Sequence, residues 1–266
     1  MKAALVCIAK NEDNYILEWI AYHQKLGFDS IFIYQNNWQF PINIKGVHTI
    51  EFNGECQQLP AYNHFIENYS NSFDWVAFID VDEFFVLKKH SGIKDFLVDF
   101  KDVQGGLAIN WVMFGSNGQT DVKNGNYAVL SRFTRCAKSP NRHIKSILRI
   151  ERIKRIKRTN WLQRLFSSGQ TKVRMINPHF PNIALLDTRR EKVKGPFNPG
   201  GPVDLLQINH YFIKSSAEFR VRNARVRADQ PGYRNISSFD DGAKVANDVE
   251  DFNDMEDFTA LNFYLK

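Results

Sequence analysis

Short apolar runs alternate with helically spaced apolar positions over the first hundred residues, and this alternation restricts the fold more than any other feature. Residues 3–9 (AALVCIA) form a continuous apolar run of strand length. Tyr15, Ile16, Trp19, Ile20, Tyr22 and Leu26 then recur at three- and four-residue spacing, with Asn11 or Asp13 placed to cap a helix and Gly27 to end it. Residues 31–34 and 47–52 read as the next two strands, 60–69 as a helix, and 75–79 as a fourth strand running straight into Asp80. Strands separated by helices imply parallel pairing through crossovers, so this half is α/β and of nucleotide-binding type. Further strands are predicted at 86–87, 107–114, 127–133, 144–150, 172–176 and 205–212, with a helix begun by Ser91 and helical packing in the closing segment.

Composition excludes several alternatives. With 266 residues, 43% hydrophobic and 24% charged, the chain is neither fibrous nor wholly disordered. No run reaches the roughly 18–20 apolar residues that span a bilayer. The N-terminus enters a strand without a basic leader, which predicts no signal peptide. Three scattered cysteines, Cys7, Cys56 and Cys136, make neither a disulfide framework nor a metal knuckle, so a cytoplasmic location is expected.

The net charge of +6 is local. Residues 142–174 hold 11 Lys or Arg against Glu151, whereas residues 237–266 hold eight acids against Lys244 and Lys266. Ile150, Ile153, Ile156 and Leu162, with Trp161, Leu165 and Phe166, fit the apolar stripe of a helix ringed by Arg152, Lys154, Arg155, Lys157, Arg158 and Arg164. Such a helix suits docking on an anionic membrane, peripheral on its inner face. The expected organisation is one domain over 1–236 carrying a basic amphipathic insertion near 150–172, with an acidic helical segment at 237–266 packed on it.

The chemistry centres on Asp80, Val81, Asp82, Glu83 and Phe84, which follow the fourth strand directly. Ligands bind at the carboxyl edge of α/β sheets. Carboxylates at i and i+2 can face the same side there and hold a hard cation that also takes phosphate oxygens. An acidic turn is the alternative reading of an isolated D-x-D.

Four separated segments, KNEDNYILEWIAYHQKLGFDSIFIYQNN at 10–37, QQLPAYNHFI at 57–66, DWVAFIDVDEFF at 74–85 and HYFIKSSAEF at 210–219, appear in the order found in one group of enzymes. Together they resemble the family 2-like and family 92-like glycosyltransferases, including bacterial-type galactosyltransferases. The resemblance implies the GT-A fold, a Rossmann-like nucleotide-sugar-binding sandwich with a mixed central sheet. It further implies a metal-dependent transfer of a sugar, often galactose, from a nucleoside diphosphate donor such as a UDP-sugar. The acceptor would be a saccharide or a lipid-linked acceptor in surface glycan biosynthesis, and the anomeric centre would invert.

Carried onto this chain, the resemblance places Cys7, Ala9, Asn11 and Glu12 at the base and ribose, Asn37 at the nucleoside, and Gln58 and Asn63 beside the diphosphate. Asp80, Asp82 and His210 form the implied metal site for Mn²⁺ or Mg²⁺, with Asp80 nearer the ribose; His179 is the rival histidine. Imidazole would favour Mn²⁺. Lys145 and Arg142 are within the basic stretch and could reach phosphate. The acid pair expected after the strand ending at Phe114 is not evident, which leaves Asp121 and Asp204 as the nearest catalytic bases. Trp111, Phe114, Gly115, Asn117 and Gly118 read as an acceptor platform, because sugars stack on aromatic rings.

Two other classes compete. A nucleotidyltransferase also sets acids on metal beside phosphates, but its Gly-rich loop is missing from KNEDN. A nucleic-acid-binding protein would use the basic stretch, but Trp161 and Phe166 alone make no stacking platform for bases.

Overall fold

A seven-residue run with no polar side chain cannot show one face to water, so β1 (Ala3–Ala9) is buried along its whole length. The computed structural model, which describes residues 1–150, 173–224 and 252–266, sets this strand inside a sheet. β2 (Ser30–Gln35) pairs with it in parallel, β3 (Val47–Glu51) extends the sheet in parallel beyond β2, and β4 (Trp75–Phe78) takes the other side of β1, also in parallel. After β5 (Glu83–Leu87), β6 (Gly106–Met113) and the short β7 (Arg135–Cys136), the chain enters β8 (Ile144–Arg149). β8 lies antiparallel between β4 and β6, which makes the sheet mixed.

β9 (Met175–Asn177) and β10 (Phe180–Pro181) pair with each other, and β11 (Leu185–Leu186) and β12 (Lys192–Val193) continue the sheet past β6. β13 (Leu206–His210) joins the end of β6 in parallel and β5 in antiparallel register, while β14 (Met255–Glu256) pairs with β7. The α/β class with a mixed central sheet that the sequence implies is therefore the architecture observed.

These directions decide where chemistry can occur. β1, β2, β4, β6 and β13 end on one edge, and the antiparallel β5 and β8 begin there. The carboxyl ends Ala9, Gln35, Phe78, Met113 and His210 thus share an edge with the first residues Glu83 and Ile144.

Helices α1 (Ile16–Leu26) and α2 (Gln58–Asn68) cover the sheet, each turning its apolar stripe inward. α1 also clamps β5: Trp19 Nε1 donates to Glu83 O at 2.9 Å and the Tyr22 hydroxyl to Phe85 O at 2.8 Å. Gly27 closes α1 at φ +103°, a conformation that L side chains resist. Its start differs from expectation. Tyr15 stands at the N-cap without a side-chain cap, and Asp13 instead accepts from Trp38 Nε1 at 3.1 Å.

Beyond these lie α3 (Ile93–Val98), α4 (Val129–Arg132), α5 (Ser216–Asn223) and α6 (Thr259–Leu265). α4 replaces the strand predicted at 127–133. The Glu18 carboxylate of α1 accepts from the Val129 and Leu130 N–H groups at 2.6 and 3.4 Å, capping a helical turn with a group more than a hundred residues away. α6 belongs to the acidic closing segment and docks on α1, with Lys25 Nζ donating to Tyr264 O at 3.0 Å. Of the stretch read as a membrane-docking helix, Ile150 is buried in the core and donates to Asp74 O at 2.8 Å. Residues 151–172 and the boundary at 236–237 lie outside the described residues. No helix among the described residues is long and apolar enough to cross a membrane.

Candidate active site

The loop from β4 to β5 carries the acidic motif onto the shared edge. Asp80 is held from three sides: Lys145 Nζ, from the start of β8, donates to its Oδ2 at 2.8 Å, and Gln58 Nε2 and the Tyr62 hydroxyl, both from α2, donate to Oδ1 at 2.6 and 3.3 Å. Both Asp80 oxygens are engaged in this network. The Asp80 N–H in turn donates to Glu83 Oε2 at 2.9 Å, and Lys145 Nζ stands 3.6 Å from Glu83 Oε1. Lys145 and Glu83 are fully buried. Burial would strip the Lys145 charge, but Asp80 and Glu83 outweigh it and hold the ammonium above its ordinary range. Glu83 is pushed up by burial, with Asp80 and Asp82 adding to the effect and Lys145 opposing it.

Asp82 faces a different set. Its Oδ2 lies 2.7 Å from Arg222 NH1 of α5 and 3.5 Å from His210 Nε2 at the end of β13. Burial alone would raise its carboxyl, yet the Arg222 guanidinium and His210 hold it well below the carboxylate range. His210 itself is lowered by burial more than Asp82 restores it, so Arg222 is the fixed charge that keeps Asp82 ionised and His210 is neutral. Both ring nitrogens of His210 are buried without a hydrogen-bond partner among the described residues. At 3.5 Å the His210–Asp82 approach is longer than a hydrogen bond.

Lys214, four residues past His210, is buried at φ +57° and sits over the Tyr15 ring at 4.4 Å. Burial lowers its ammonium, while Asp82 and Glu12 pull it back. Arg222 also donates to Phe212 O at 2.7 Å. α5 is itself fixed by a Ser215–Glu218 capping box, and the Glu218 carboxylate takes both Arg132 guanidinium nitrogens at 2.9 and 2.7 Å.

A buried imidazole without a partner beside an ionised carboxylate is a fitting pair of ligands for a divalent cation. Among the described residues no group of three or more His, Cys, Asp or Glu is gathered to hold one alone. Asp82 and His210 therefore suit an ion whose remaining ligands are phosphate oxygens and water.

The structure brings Gln58, Asp80, Asp82, Lys145 and His210 together and leaves other expected residues apart. Cys7 is a buried thiol pushed up by burial and by Asp80 and Glu12. Ala9 O accepts from Asn36 N–H at 2.9 Å, and Asn11 follows at φ +56°, exposed on the rim. Glu12 is half-buried, and its carbonyl receives the N–H groups of Tyr15 and Ile16 at 3.0 and 2.9 Å. Asn37, at φ +45°, holds the turn after β2 by accepting from Gly54 N–H at 3.3 Å and donating its own N–H to Asn53 at 2.8 Å.

Asn63 turns away from the site and binds both backbone groups of Met175, at 3.1 and 2.8 Å. Asp121 is exposed and accepts from the neighbouring Val122 N–H at 2.7 Å. Asp204 is exposed before β13, at the opposite end of that strand from His210, and so lies across the sheet from the acidic motif. The expected acceptor platform is closed as well. The Trp111 ring is only 9% exposed, stacked on His143 at 5.0 Å and tilted on His210 at 4.3 Å, and Phe114 is fully buried. His179 meets the Trp111 ring edge at 5.3 Å, while its Nδ1 bonds Ile144 O at 2.9 Å.

Tyr62, Lys214 and Arg222 carry no expectation from the sequence, and Glu83 is named there only as part of the acidic motif. Glu83 and Lys214 stand inside segments that carry the family resemblance. Arg222 had no signal short of knowing that α5 folds back on the β4–β5 loop.

Two solved structures are similar to part of the chain: S. aureus TarS over 59% of this chain and 49% of its own, with TM-score 0.34 and 16% identity, and HddC from Yersinia pseudotuberculosis over 55% and 73%, with TM-score 0.29 and 12% identity. A glycosyltransferase family 92 protein of Oryza sativa subsp. japonica is 29% identical over 163 residues, 56% of this chain and 27% of the relative. One of Arabidopsis thaliana is 28% identical over 160 residues, 53% of this chain and 27% of the relative. The chain thus spans just over a quarter of the length of these relatives. The sequence pattern of glycosyltransferase family 92 matches residues 49–215, which run from β3 through Asp80, Asp82, Lys145 and His210 to Ser215, and the chain belongs to that family.

Proposed function

We propose that the protein is a glycosyltransferase that moves a hexose, galactose by family resemblance, from a UDP-sugar to a saccharide or lipid-linked acceptor with inversion. The observation that carries this reading is the unpartnered imidazole of His210 set 3.5 Å from the ionised Asp82, on the carboxyl edge where such sheets bind nucleotides. Mn²⁺, or Mg²⁺ in its place, would be held by Asp82 and His210 and would supply Lewis-acid stabilisation of the leaving diphosphate.

The chain's own residues account for the rest. Arg222 and Lys214 bring two cations to the place where negative charge develops on the departing nucleoside diphosphate. Lys145, Gln58 and Tyr62 fix the Asp80 carboxylate so that it meets the ribose in one orientation. The basic stretch at 152–164, read from the sequence, suits approach to an anionic membrane that carries a lipid-linked acceptor.

The test is thermal unfolding with UDP, with and without Mn²⁺, followed by release of UDP from a panel of UDP-sugars. A ligand at a hundred times its Kd stabilises by about 2.7 kcal/mol. Stabilisation by UDP that requires the metal supports the reading; no effect of UDP with either metal rejects it.

A further inference from the structure

The loop from Val193 to Gly201 inverts the usual burial preference. Its asparagine is turned inward and its phenylalanine outward, although Asn is ordinarily the exposed residue and Phe the buried one. Asn198 Nδ2 donates to Asn110 Oδ1 at 3.1 Å, and Asn110 Nδ2 returns bonds to Asn198 O at 2.8 Å and Asn141 O at 3.0 Å. Main-chain bonds complete the attachment: Asn198 N–H to Arg142 O at 2.7 Å and Ile144 N–H to Pro196 O at 3.3 Å. Gly201 packs so closely on the Asn110 and Asn198 side chains that a Cβ would overlap them. Phe197, between these anchors, is 40% exposed. A loop fixed this firmly holds its aromatic ring out as a feature of the fold.

The ring is also continuous with the candidate site. Phe197 meets His143 edge-on at 4.9 Å, His143 stacks on Trp111 at 5.0 Å, and Trp111 touches His210 at 4.3 Å. The Arg142 guanidinium lies 4.7 Å from the Phe197 ring centre. His143 Nδ1 bonds Asn141 Oδ1 at 2.7 Å, so Nδ1 carries the proton and Nε2 is left as an acceptor. Aromatic surface next to a guanidinium donor and an imidazole acceptor is what a pyranose ring needs. Its C–H face packs on the aromatic ring, and its hydroxyls find a donor and an acceptor at the rim.

We infer that Phe197, Arg142 and His143 form the subsite for the acceptor saccharide, with one sugar ring packed on Phe197 and its hydroxyls bonded to Arg142 and His143. Placed here, the acceptor approaches the reacting centre along the ring contacts from Phe197 to His210. The closed Trp111 acts as the floor of this path and makes no open platform itself. The inference rests on the glycosyltransferase reading for the identity of the occupant, but sugar binding can be measured apart from transfer.

The experiment is saturation-transfer NMR on the full chain with methyl β-D-galactopyranoside as probe, alongside calorimetry with UDP and Mn²⁺. Saturation of the sugar's ring protons is expected in the wild type, falling at least fivefold in Phe197→Ala and Arg142→Ala and retained in Phe197→Tyr. UDP affinity should stay within twofold in the two Phe197 variants. Equal saturation in Phe197→Ala and wild type overturns the inference, as does absence of saturation in a wild type that binds UDP. Failure of the glycosyltransferase reading looks different: the glycoside binds through Phe197 while UDP does not bind at all.

Discussion

Arg222 NH1 sits 2.7 Å from Asp82 Oδ2, so a guanidinium from α5 rests on the carboxylate that follows β4. The two residues are 140 positions apart in sequence and meet because Tyr211 N–H donates to Asp82 O at 2.9 Å, bringing the end of β13 and the following helix over the acidic loop. Two consequences follow from one contact. Asp82 remains ionised although buried, and a second positive group is in place before any donor arrives. Removing the carboxylate outright would leave Arg222 without this partner, so the choice of substitution matters for testing the site.

Asp82→Asn keeps the volume and a carbonyl acceptor for Arg222 while removing the charge. We expect the variant to melt within a few degrees of wild type and to lose the Mn²⁺-dependent stabilisation by UDP. Transfer should fall by about a hundredfold or more, the scale of losing one electrostatic stabiliser in a preorganised site. Thermal unfolding and UDP release read both effects. Wild-type stabilisation by UDP and metal in this variant would remove Asp82 from the site.

Lys145 is expected to matter for folding before it matters for chemistry. Its ammonium is fully buried against Asp80 and Glu83, and breaking a buried pair by deleting one partner costs about 3–5 kcal/mol. Lys145→Met should lose stability on that scale in urea unfolding. Adding Asp80→Asn should recover part of the loss, because the half-buried Asp80 carboxylate is then no longer left without its counter-charge. Purely additive losses would show that the two residues do not act as a pair.

The first half of the fold is legible because strands such as β1 and β4 are buried on both faces and read as unbroken apolar runs, as at residues 3–9 and 75–79. Asp80 and Asp82 were legible for the same reason: polar residues that end such a run mark the sheet's edge. The rest depended on contacts made across long separations. Glu18 caps α4 and turns an apparent strand at 127–133 into a helix. Asn63 looks like a site residue from its helix position, yet β9 comes to lie against it. Arg222 and Phe197 acquire meaning only once α5 and the Asn198 loop are placed. Side-chain spacing along one element cannot reveal which distant segment will cover it.

Asn63→Ala separates a structural role from a ligand role. The Asn63 side chain holds both backbone groups of Met175, so its loss leaves one donor and one acceptor unsatisfied, at about 1–3 kcal/mol. Urea unfolding should show that loss. UDP binding in the folded protein should be unchanged, whereas a drop of tenfold or more would return Asn63 to the diphosphate.

His23 predicts how the protein responds to acid. The ring is fully buried between α1 and β5; Nδ1 donates to Trp19 O at 2.8 Å and Nε2 accepts from Phe85 N–H at 3.4 Å, which fixes the neutral tautomer. Burial pushes its pKa down to about 3 despite the bond to Trp19 O. The unfolded chain, with histidine near its ordinary value of about 6.5, therefore binds more protons than the folded chain between those limits. Stability should fall as pH drops from about 6.5 toward 3, by up to about 1.4 kcal/mol per pH unit from this residue, and level off below 3. Replacing His23 by Gln removes the titration while keeping an amide donor and acceptor, so the slope of unfolding free energy against pH should be shallower in the variant by that amount. Parallel slopes for the two proteins across pH 4–6 would show that His23 is not the group that acid must charge.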